Sequence, residues 1–140
     1  MKVLVTGGAG YIGSHTVQVL KSNGHDVVVV DNLSTGFRNS VPDDVVFEQG
    51  DVRDFDFMVQ SLRKYNIEAV IHFAAKLIVP ESIAYPLEYY ENNTSGVITL
   101  TRACREANVK SIVFSSTAAV YGDANSEIQF VDENSKVSPL

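Results

Sequence analysis

The chain has 140 residues, of which 45% are apolar and 20% are charged, and its net charge at pH 7 is −6. This length suits a single domain, and the composition is that of an ordinary globular protein rather than a disordered or membrane-spanning one. The negative charge argues against nucleic acid as a partner, because a phosphate backbone would be repelled.

The first residues lead from Met1 almost directly into an apolar strand, so we expect no signal peptide, no membrane segment and a cytoplasmic location. The single cysteine, Cys104, allows no internal disulfide and lies on the apolar face of a predicted helix, where packing is its expected role. His15, His25 and His72 are scattered, without other ligands at metal-binding spacing, so no metal site is predicted.

Five short apolar runs predict strands, and the segments between them carry helical patterns. The strands are expected at residues 3–5, 27–30, 45–47, 69–73 and 111–114. The second is a run of four valines, which is typical of a strand buried on both faces in a parallel sheet covered by helices. The order βαβαβ followed by further αβ units predicts an α/β fold with a doubly wound (Rossmann) sheet, whose ligand lies at the carboxyl ends of the strands.

Three helices are predicted between the strands. The first carries Ile12, Thr16, Val19 and Leu20 on one face, and Gly24 is placed to end it. The second follows a predicted cap residue at position 54 and has apolar marks at Phe55, Met58, Val59 and Leu62. The third is longer and runs from about Pro86 to Ala107, and the polar tail at 123–140 is expected to be a loop.

The first strand runs into three glycines spaced by three, Gly7, Gly10 and Gly13, and then into the first helix. Glycine at these positions permits a sharp turn, lets bare main chain approach a pyrophosphate and starts the helix close to the strand. The alternative is a glycine loop with a purely structural role. The agreement of strand, loop and helix favours a dinucleotide-binding turn.

The second predicted strand ends at Asp31, 18 residues after Gly13, about the offset at which a carboxylate accepts both hydroxyls of an adenosine ribose. Such a carboxylate favours NAD over NADP, because it repels a 2′-phosphate. The alternative is a solvated loop aspartate. Asn32, Ser34 and Thr35 follow in the same loop and offer further contacts to ribose and phosphate, although each alone is more often a turn residue.

Two later strand ends offer less specific signals. Asp51 follows the third strand, where it is placed to accept from an adenine amino group while Val52 packs on the ring; a helix-capping or turn aspartate is an equally good interpretation. The fourth strand ends in the small residues Ala74 and Ala75, which would let main chain lie against a dinucleotide, but a plain buried strand end also explains them.

Taken together, six segments closely resemble the extended short-chain dehydrogenases, and among them the nucleotide-sugar epimerases. They are residues 6–15, 31–34, 50–53, 72–75, 86–90 and 114–117. The most family-specific pieces are the Asp-Asn-Leu-Ser loop at 31–34 and the helix start Pro-Leu-Glu-Tyr-Tyr-Glu-Asn-Asn at 86–93.

The resemblance implies that residues 1–140 are an NAD-binding domain and that the substrate is a UDP-hexose. Hydride would leave C4 of the sugar and return to its other face, interconverting UDP-glucose and UDP-galactose. The resemblance places the pyrophosphate at Tyr11 and Ile12, the adenosine ribose at Asp31 and Asn32, and adenine at Asp51 and Val52. It places the nicotinamide half at Phe73, Ala74, Ala75, Asn92 and Ser115, and it matches Thr117 to the active-site serine or threonine that binds and polarises the sugar's 4-oxygen.

The family's general base is the tyrosine of a Tyr-x-x-x-Lys pair, and no tyrosine here is followed four residues later by lysine. We therefore expect the N-terminal part of an epimerase, cut before its base and its substrate domain and inactive alone. A homodimer through the helix from Pro86 is also implied, whereas Lys76 is expected to be solvated. The alternatives are another extended short-chain dehydrogenase, such as a nucleotide-sugar dehydratase, a non-catalytic NAD-binding module, or a purely structural interaction domain.

Overall fold

A five-stranded parallel sheet with the order β3-β2-β1-β4-β5 forms the centre of the computed structural model, which describes residues 1–122 and 131–139. The strands are β1 (Lys2–Thr6), β2 (Asp26–Asp31), β3 (Val46–Gln49), β4 (Ala69–His72) and β5 (Ser111–Phe114). The α-helices are α1 (Tyr11–Ser22), α2 (Phe55–Lys64), α3 (Val79–Ala84), α4 (Pro86–Tyr89) and α5 (Gly96–Glu106). All five predicted strands are confirmed, with small shifts at their ends.

Two apolar clusters lie on opposite faces of the sheet, so the predicted doubly wound arrangement is confirmed. On one face α1 packs through Val17, and on the other α2 and α5 pack against each other and the sheet. The valines of β2 alternate between the clusters, with Val27 and Val29 on the α1 side and Val28 and Val30 on the other. All four are buried, as a strand covered on both faces requires.

The buried face of α1 differs from the predicted one. Its buried residues are Gly13, Ser14 and Val17, whereas Ile12 and Val19 are each 60% exposed. Hydrophobic periodicity selects the larger apolar side chains, but the helix begins so close to the sheet that only small residues fit between them. Of the predicted apolar face, Ile12 and Val19 are therefore on the exposed side, whereas Thr16 and Leu20 are half-buried and Leu20 packs against the core cluster. The helix does end as predicted, with Gly24 adopting a φ of +78° just beyond it.

The second predicted helix is confirmed as α2, where Met58, Val59 and Leu62 are buried and the Asp54 side chain caps the first turn by accepting from the main-chain N–H of Phe57 at 3.0 Å. The connection from β2 to β3 contains only a short 3₁₀ turn (Arg38–Ser40), so the expected βαβαβ order was wrong there. In place of a helix, this connection forms a loop that packs against the glycine loop.

The predicted long helix from Pro86 is present but not uniform. Between α4 and α5 it widens into a π-helical turn, Tyr90–Ser95, and α5 ends at Glu106. Cys104 lies in α5 and is buried, as expected, and burial raises the pKa of its thiol to about 11. The short helix α3 before it has no counterpart in the sequence prediction.

The predicted C-terminal loop is only partly described. Residues 131–139 contain no helix or strand, and residues 123–130 and 140 lie outside the described part of the chain. Among the described residues no helix combines the length and apolar character that crossing a bilayer requires.

The turn from β1 into α1 brings main chain against main chain. A Cβ added to Gly13 would lie 2.2 Å from the carbonyl oxygen of Gly7 and 2.8 Å from Cα of Gly8. Gly7 itself has a φ of +70°, and its added Cβ would lie 2.7 Å from the main-chain nitrogen of Ala74. Because these obstacles are backbone atoms, neither position accommodates a side chain without moving the strand or the helix.

One buried polar pair joins β1 to β4 at the same end of the sheet. The Thr6 hydroxyl and Nδ1 of His72 share a hydrogen bond of 2.7 Å, and the imidazole stacks on Phe114 of β5 at 5.7 Å. His72 is 2% exposed, and burial lowers the pKa of its imidazole from 6.5 to about 4. The folded protein therefore holds this histidine neutral.

Replacing Gly13 with alanine should lower the free energy of unfolding by about 2 kcal/mol or more, because the new methyl group meets backbone atoms. Gly10→Ala is the matched control, since its Cβ would approach only the Gly7 carbonyl oxygen, at 3.3 Å. Its expected cost is about 1 kcal/mol or less. Urea unfolding of both variants measures the difference, and equal losses would contradict the close approach at Gly13.

His72 should make stability depend on pH between about 6.5 and 4. Because the unfolded histidine binds its proton near 6.5 and the folded one only near 4, this contribution is complete above 6.5 and is lost as the pH falls through that window. The slope approaches about 1.4 kcal/mol per pH unit. Urea unfolding from pH 7 to 5 should show a shallower slope for His72→Gln, whereas the exposed-site control His15→Gln should keep the wild-type slope. An unchanged slope in His72→Gln would refute the assignment.

Candidate functional site

The sequence-predicted site residues gather at the carboxyl-terminal edge of the sheet. The strand order places β1 between β2 and β4, and the chain leaves β1 towards β2 on one side and reaches β4 by a separate crossover. This is the switch point at which doubly wound sheets open a crevice for ligands. Gly7, Asp31, Phe73 and Ser115 each follow, or end, a strand at this edge.

The N-terminus of α1 opens into the crevice without a cap. Gly10 is the cap residue and makes no side-chain hydrogen bond, and the first turn of the helix contains no acidic residue. The side chains of Tyr11 and Ile12, the first two helical residues, are exposed. Unpaired N–H groups at the positive end of a 12-residue helix are a suitable site for an anion such as a diphosphate.

The carboxylate of Asp31 ties the end of β2 to the glycine loop. Its Oδ2 accepts from the main-chain N–H of Ala9 at 3.0 Å, and its Oδ1 accepts from that of Leu33 at 2.8 Å. The residue is only 8% exposed. Each oxygen retains a second lone pair, so the carboxylate still has acceptor capacity for ribose hydroxyls. Sequence reasoning found the residue but not its two main-chain partners.

The loop after Asp31 folds against the glycine loop. Phe37 donates its main-chain N–H to the carbonyl of Ala9 at 3.1 Å. Asn32 Oδ1 accepts from the N–H of Ser34 at 3.0 Å, which forms a tight turn and leaves the side chains of Ser34 and Thr35 exposed at its tip. Asn32 is thus engaged in the turn, and the ligand roles of these polar residues stay predictions.

The Asp51 carboxylate is held by Arg53, a residue that sequence reasoning missed. Nε and the second guanidinium nitrogen of Arg53 donate to the two Asp51 oxygens at 2.9 and 2.8 Å, and Asn32 Nδ2 donates at 3.2 Å. The bonds from the Arg53 side chain are the main reason that the pKa of Asp51 is lowered to about 2. The signal available in the sequence was the Asp-x-Arg spacing directly after a strand.

Val52 lies differently from its expected role. Its side chain is 5% exposed and belongs to the core cluster on the α2 and α5 side, where it meets Gly96. Little of it remains to pack on an adenine ring, and any ligand contact at this position would come from the main chain.

The segment after β4 borders the other side of the crevice. Phe73 donates its N–H to the Thr6 carbonyl at 3.0 Å, and Ala74 lies against Gly7, followed by the exposed Ala75. Asn92 is half-buried in the π turn, and its Nδ2 donates to Asn93 Oδ1 at 2.9 Å. The main chain of this segment therefore lies beside the glycine loop, as its small residues suggested.

The end of β5 completes this edge of the sheet. Ser115 donates its main-chain N–H to the His72 carbonyl at 3.1 Å, which continues the pairing of β4 and β5. Thr117 is exposed, and its Oγ1 accepts from the N–H of Ala119 at 3.1 Å at the start of a 3₁₀ turn (Ala118–Tyr121). The Thr117 hydroxyl therefore lies shortly after the carboxyl end of β5, the strand that pairs with β4.

Lys76 is exposed, in keeping with its expected solvation. Its Nζ lies 3.9 Å from Glu81 Oε1 and 5.5 Å from the centre of the Tyr89 ring. In residues 1–122 and 131–139, no three His, Cys, Asp or Glu side chains form a group that could hold a metal ion.

Comparison with known proteins supports the same family. The model of the NAD dependent epimerase/dehydratase family matches residues 3–140. A UDP-glucose 4-epimerase from Lacticaseibacillus casei is 54% identical over 123 residues, which is 88% of this chain and 37% of that protein. One from Klebsiella pneumoniae is 50% identical over 130 residues, with 88% of this chain and 94% of that sequence covered.

Solved structures show the same fold. The UDP-glucose 4-epimerase of Thermus thermophilus in complex with NAD matches with a TM-score of 0.88 and 40% identity over 99% of this chain and 45% of that one. The enzyme of Brucella ovis in complex with NAD matches with a TM-score of 0.86 and 42% identity, covering 99% of this chain and 42% of that one. The chain spans little more than a third of the length of most of the curated relatives it matches. On the match of the family model to nearly its whole length, the chain belongs to the NAD dependent epimerase/dehydratase family.

Proposed function

We propose that this chain is the NAD-binding part of a UDP-glucose 4-epimerase. The observation that carries the proposal is the uncapped N-terminus of α1, which opens between the ends of β1 and β4 with the Asp31 carboxylate on one side. The identity of about half of all aligned positions to UDP-glucose 4-epimerases supports the choice of activity.

The residues present fit a dinucleotide. Gly7 and Gly13 leave bare main chain where a Cβ would collide with backbone, and the first turn of α1 offers N–H groups to a diphosphate. Asp31 has acceptor capacity for the two hydroxyls of an unphosphorylated adenosine ribose. Asp51 is kept ionised by Arg53, and its two oxygens already accept four hydrogen bonds, three from Arg53 and one from Asn32 Nδ2. An adenine amino group bound there would replace one of them, and the bond from Asn32, at 3.2 Å, is the longest of the four.

The opposite side of the crevice would hold the nicotinamide half and the sugar. Phe73, Ala74 and Ala75 supply main chain beside the glycine loop, and Asn92 and Ser115 supply polar groups at the neighbouring edge. Bound NAD would supply the hydride acceptor and donor for C4 of the hexose. Thr117 would bind the sugar's 4-oxygen through its hydroxyl.

The family name also covers dehydratases, so a nucleotide-sugar dehydratase is the second candidate activity. A homodimer is predicted through the helical region from Pro86, where Leu87 and Ile98 are exposed apolar residues, and a cytoplasmic location is likewise a prediction. Light scattering of the chain distinguishes a monomer from a dimer.

Replacing Asp31 with alanine should weaken NAD binding about tenfold to a hundredfold, because acceptors for two ribose hydroxyls are lost. NADP binding should fall less, since a repulsion of its 2′-phosphate is lost at the same time. The measured quantity is the ratio of the two dissociation constants by calorimetry, which cancels any general loosening of the glycine loop. Asp26→Ala removes the same charge from the exposed opposite end of β2 and should leave the ratio unchanged. An unchanged ratio in Asp31→Ala would contradict the ribose role.

The activity itself is tested with UDP-galactose as substrate. We expect the full-length protein to interconvert UDP-galactose and UDP-glucose, and this 140-residue chain to bind NAD without turning over sugar, because it contains no Tyr-x-x-x-Lys pair. Measurable epimerisation by the chain alone would disprove its predicted inactivity. A full-length protein that retains NAD but does not convert either sugar would disprove the substrate assignment.

A further inference from the structure

The π-helical turn Tyr90–Ser95 interrupts an otherwise α-helical segment next to the crevice. Turns of this kind are rare, occur mostly as single-turn bulges and are frequent at functional sites. This one carries two consecutive asparagines, Asn92 and Asn93, both half-buried. Family resemblance assigns a role to the first of them only.

The carboxamide of Asn93 pairs with both main-chain groups of Lys76. Its Oδ1 accepts from the Lys76 N–H at 2.8 Å, and its Nδ2 donates to the Lys76 carbonyl at 2.8 Å. The two bonds reproduce with a side chain the pairing that a neighbouring strand would give. The same Oδ1 accepts from Asn92 Nδ2 at 2.9 Å, which fixes how the Asn92 amide is turned.

The segment that Asn93 holds begins at the gap between β1 and β4. Residues 73–78 have no regular structure, and Ala74 lies against Gly7 of the diphosphate-binding loop. Asp31 lies across the crevice at the end of β2. A dinucleotide with its adenosine at Asp31 must therefore extend its second nucleoside over this segment.

A second anchor holds the far end of the segment. The Tyr89 hydroxyl accepts from the N–H of Ile78 at 3.1 Å and also lies within hydrogen-bond distance, 2.9 Å, of the Ile78 carbonyl. Because this anchor does not involve Asn93, loss of the Asn93 amide should loosen the part near Lys76 while the rest of the fold stays in place.

We propose that Asn93 is a positioning residue for the second nucleoside of the bound dinucleotide. It acts through the Lys76 main chain, which it holds at the crevice, and through Asn92, whose amide it orients. The inference rests on the proposed binding of NAD and adds to it a residue that makes no ligand contact of its own.

The test compares NAD with ADP, which contains the adenosine and diphosphate but lacks the second nucleoside. For Asn93→Leu, which keeps the side-chain volume and removes its polar groups, we expect NAD to bind about tenfold more weakly, a change of about 1.4 kcal/mol. ADP should bind within about twofold of the wild-type value. Thr94→Ala, an exposed neighbour in the same π turn, is the matched control and should change neither constant.

The outcomes separate the inference from the function on which it rests. If the wild-type chain binds neither NAD nor ADP, the proposed function fails and the inference falls with it. If the wild type binds NAD but Asn93→Leu binds NAD equally well, or loses NAD and ADP to the same extent, the positioning role alone is wrong. Asn93→Ala serves as the second variant if the leucine substitution prevents folding, and the stoichiometry of ADP binding reports the folded fraction in each case.

Discussion

The close approach of Gly13 to Gly7 is the contact on which the site depends. Because the carbonyl of Gly7 lies where a Cβ of residue 13 would be, α1 begins directly at the end of β1, and its free N–H groups face the gap in the sheet. The same closeness limits the buried face of the helix to Gly13, Ser14 and Val17. The close approach that leaves the N–H groups of α1 free for an anion therefore also determines which residues of α1 pack against the sheet.

Main-chain N–H groups and carboxylates border different parts of the crevice, and we propose that they bind different parts of the dinucleotide. A protein with a net charge of −6 offers its helix N-terminus and main-chain N–H groups where we propose the diphosphate, and these attract an anion without a basic side chain. Its carboxylates, Asp31 and Asp51, lie where we propose the neutral ribose and adenine, which donate hydrogen bonds. The guanidinium of Arg53 neutralises Asp51, and main-chain N–H groups satisfy Asp31 before any ligand arrives. This arrangement lets two acidic groups border a diphosphate site at little electrostatic cost.

Features encoded by neighbouring residues were predictable from the sequence, and features encoded by distant pairs were not. The Asp54 cap, the Gly24 stop and the buried valines of β2 each depend on a local pattern, and the structure confirms them. The glycine loop and Asp31 were located for the same reason. The bonds of Asn93 to Lys76 join positions 17 residues apart, across a loop. Hydrophobic periodicity describes neighbouring residues only and therefore does not predict them. The buried face of α1 was missed because apolar size predicts burial only where there is room for a side chain.

The hydrogen bonding of Thr117 limits what it can do for a sugar. A hydroxyl has one proton to donate and two lone pairs, and the Thr117 oxygen already accepts the N–H of Ala119. Its proton and one lone pair are left for a ligand, and under the proposed function we expect Thr117 to donate its proton to the sugar's 4-oxygen. A group that donates to this oxygen does not serve as the base that removes the C4 hydroxyl proton. That proton must pass to another residue, the role that the resemblance gives to the tyrosine of a Tyr-x-x-x-Lys pair, and the binding and proton-accepting functions are then divided between two side chains.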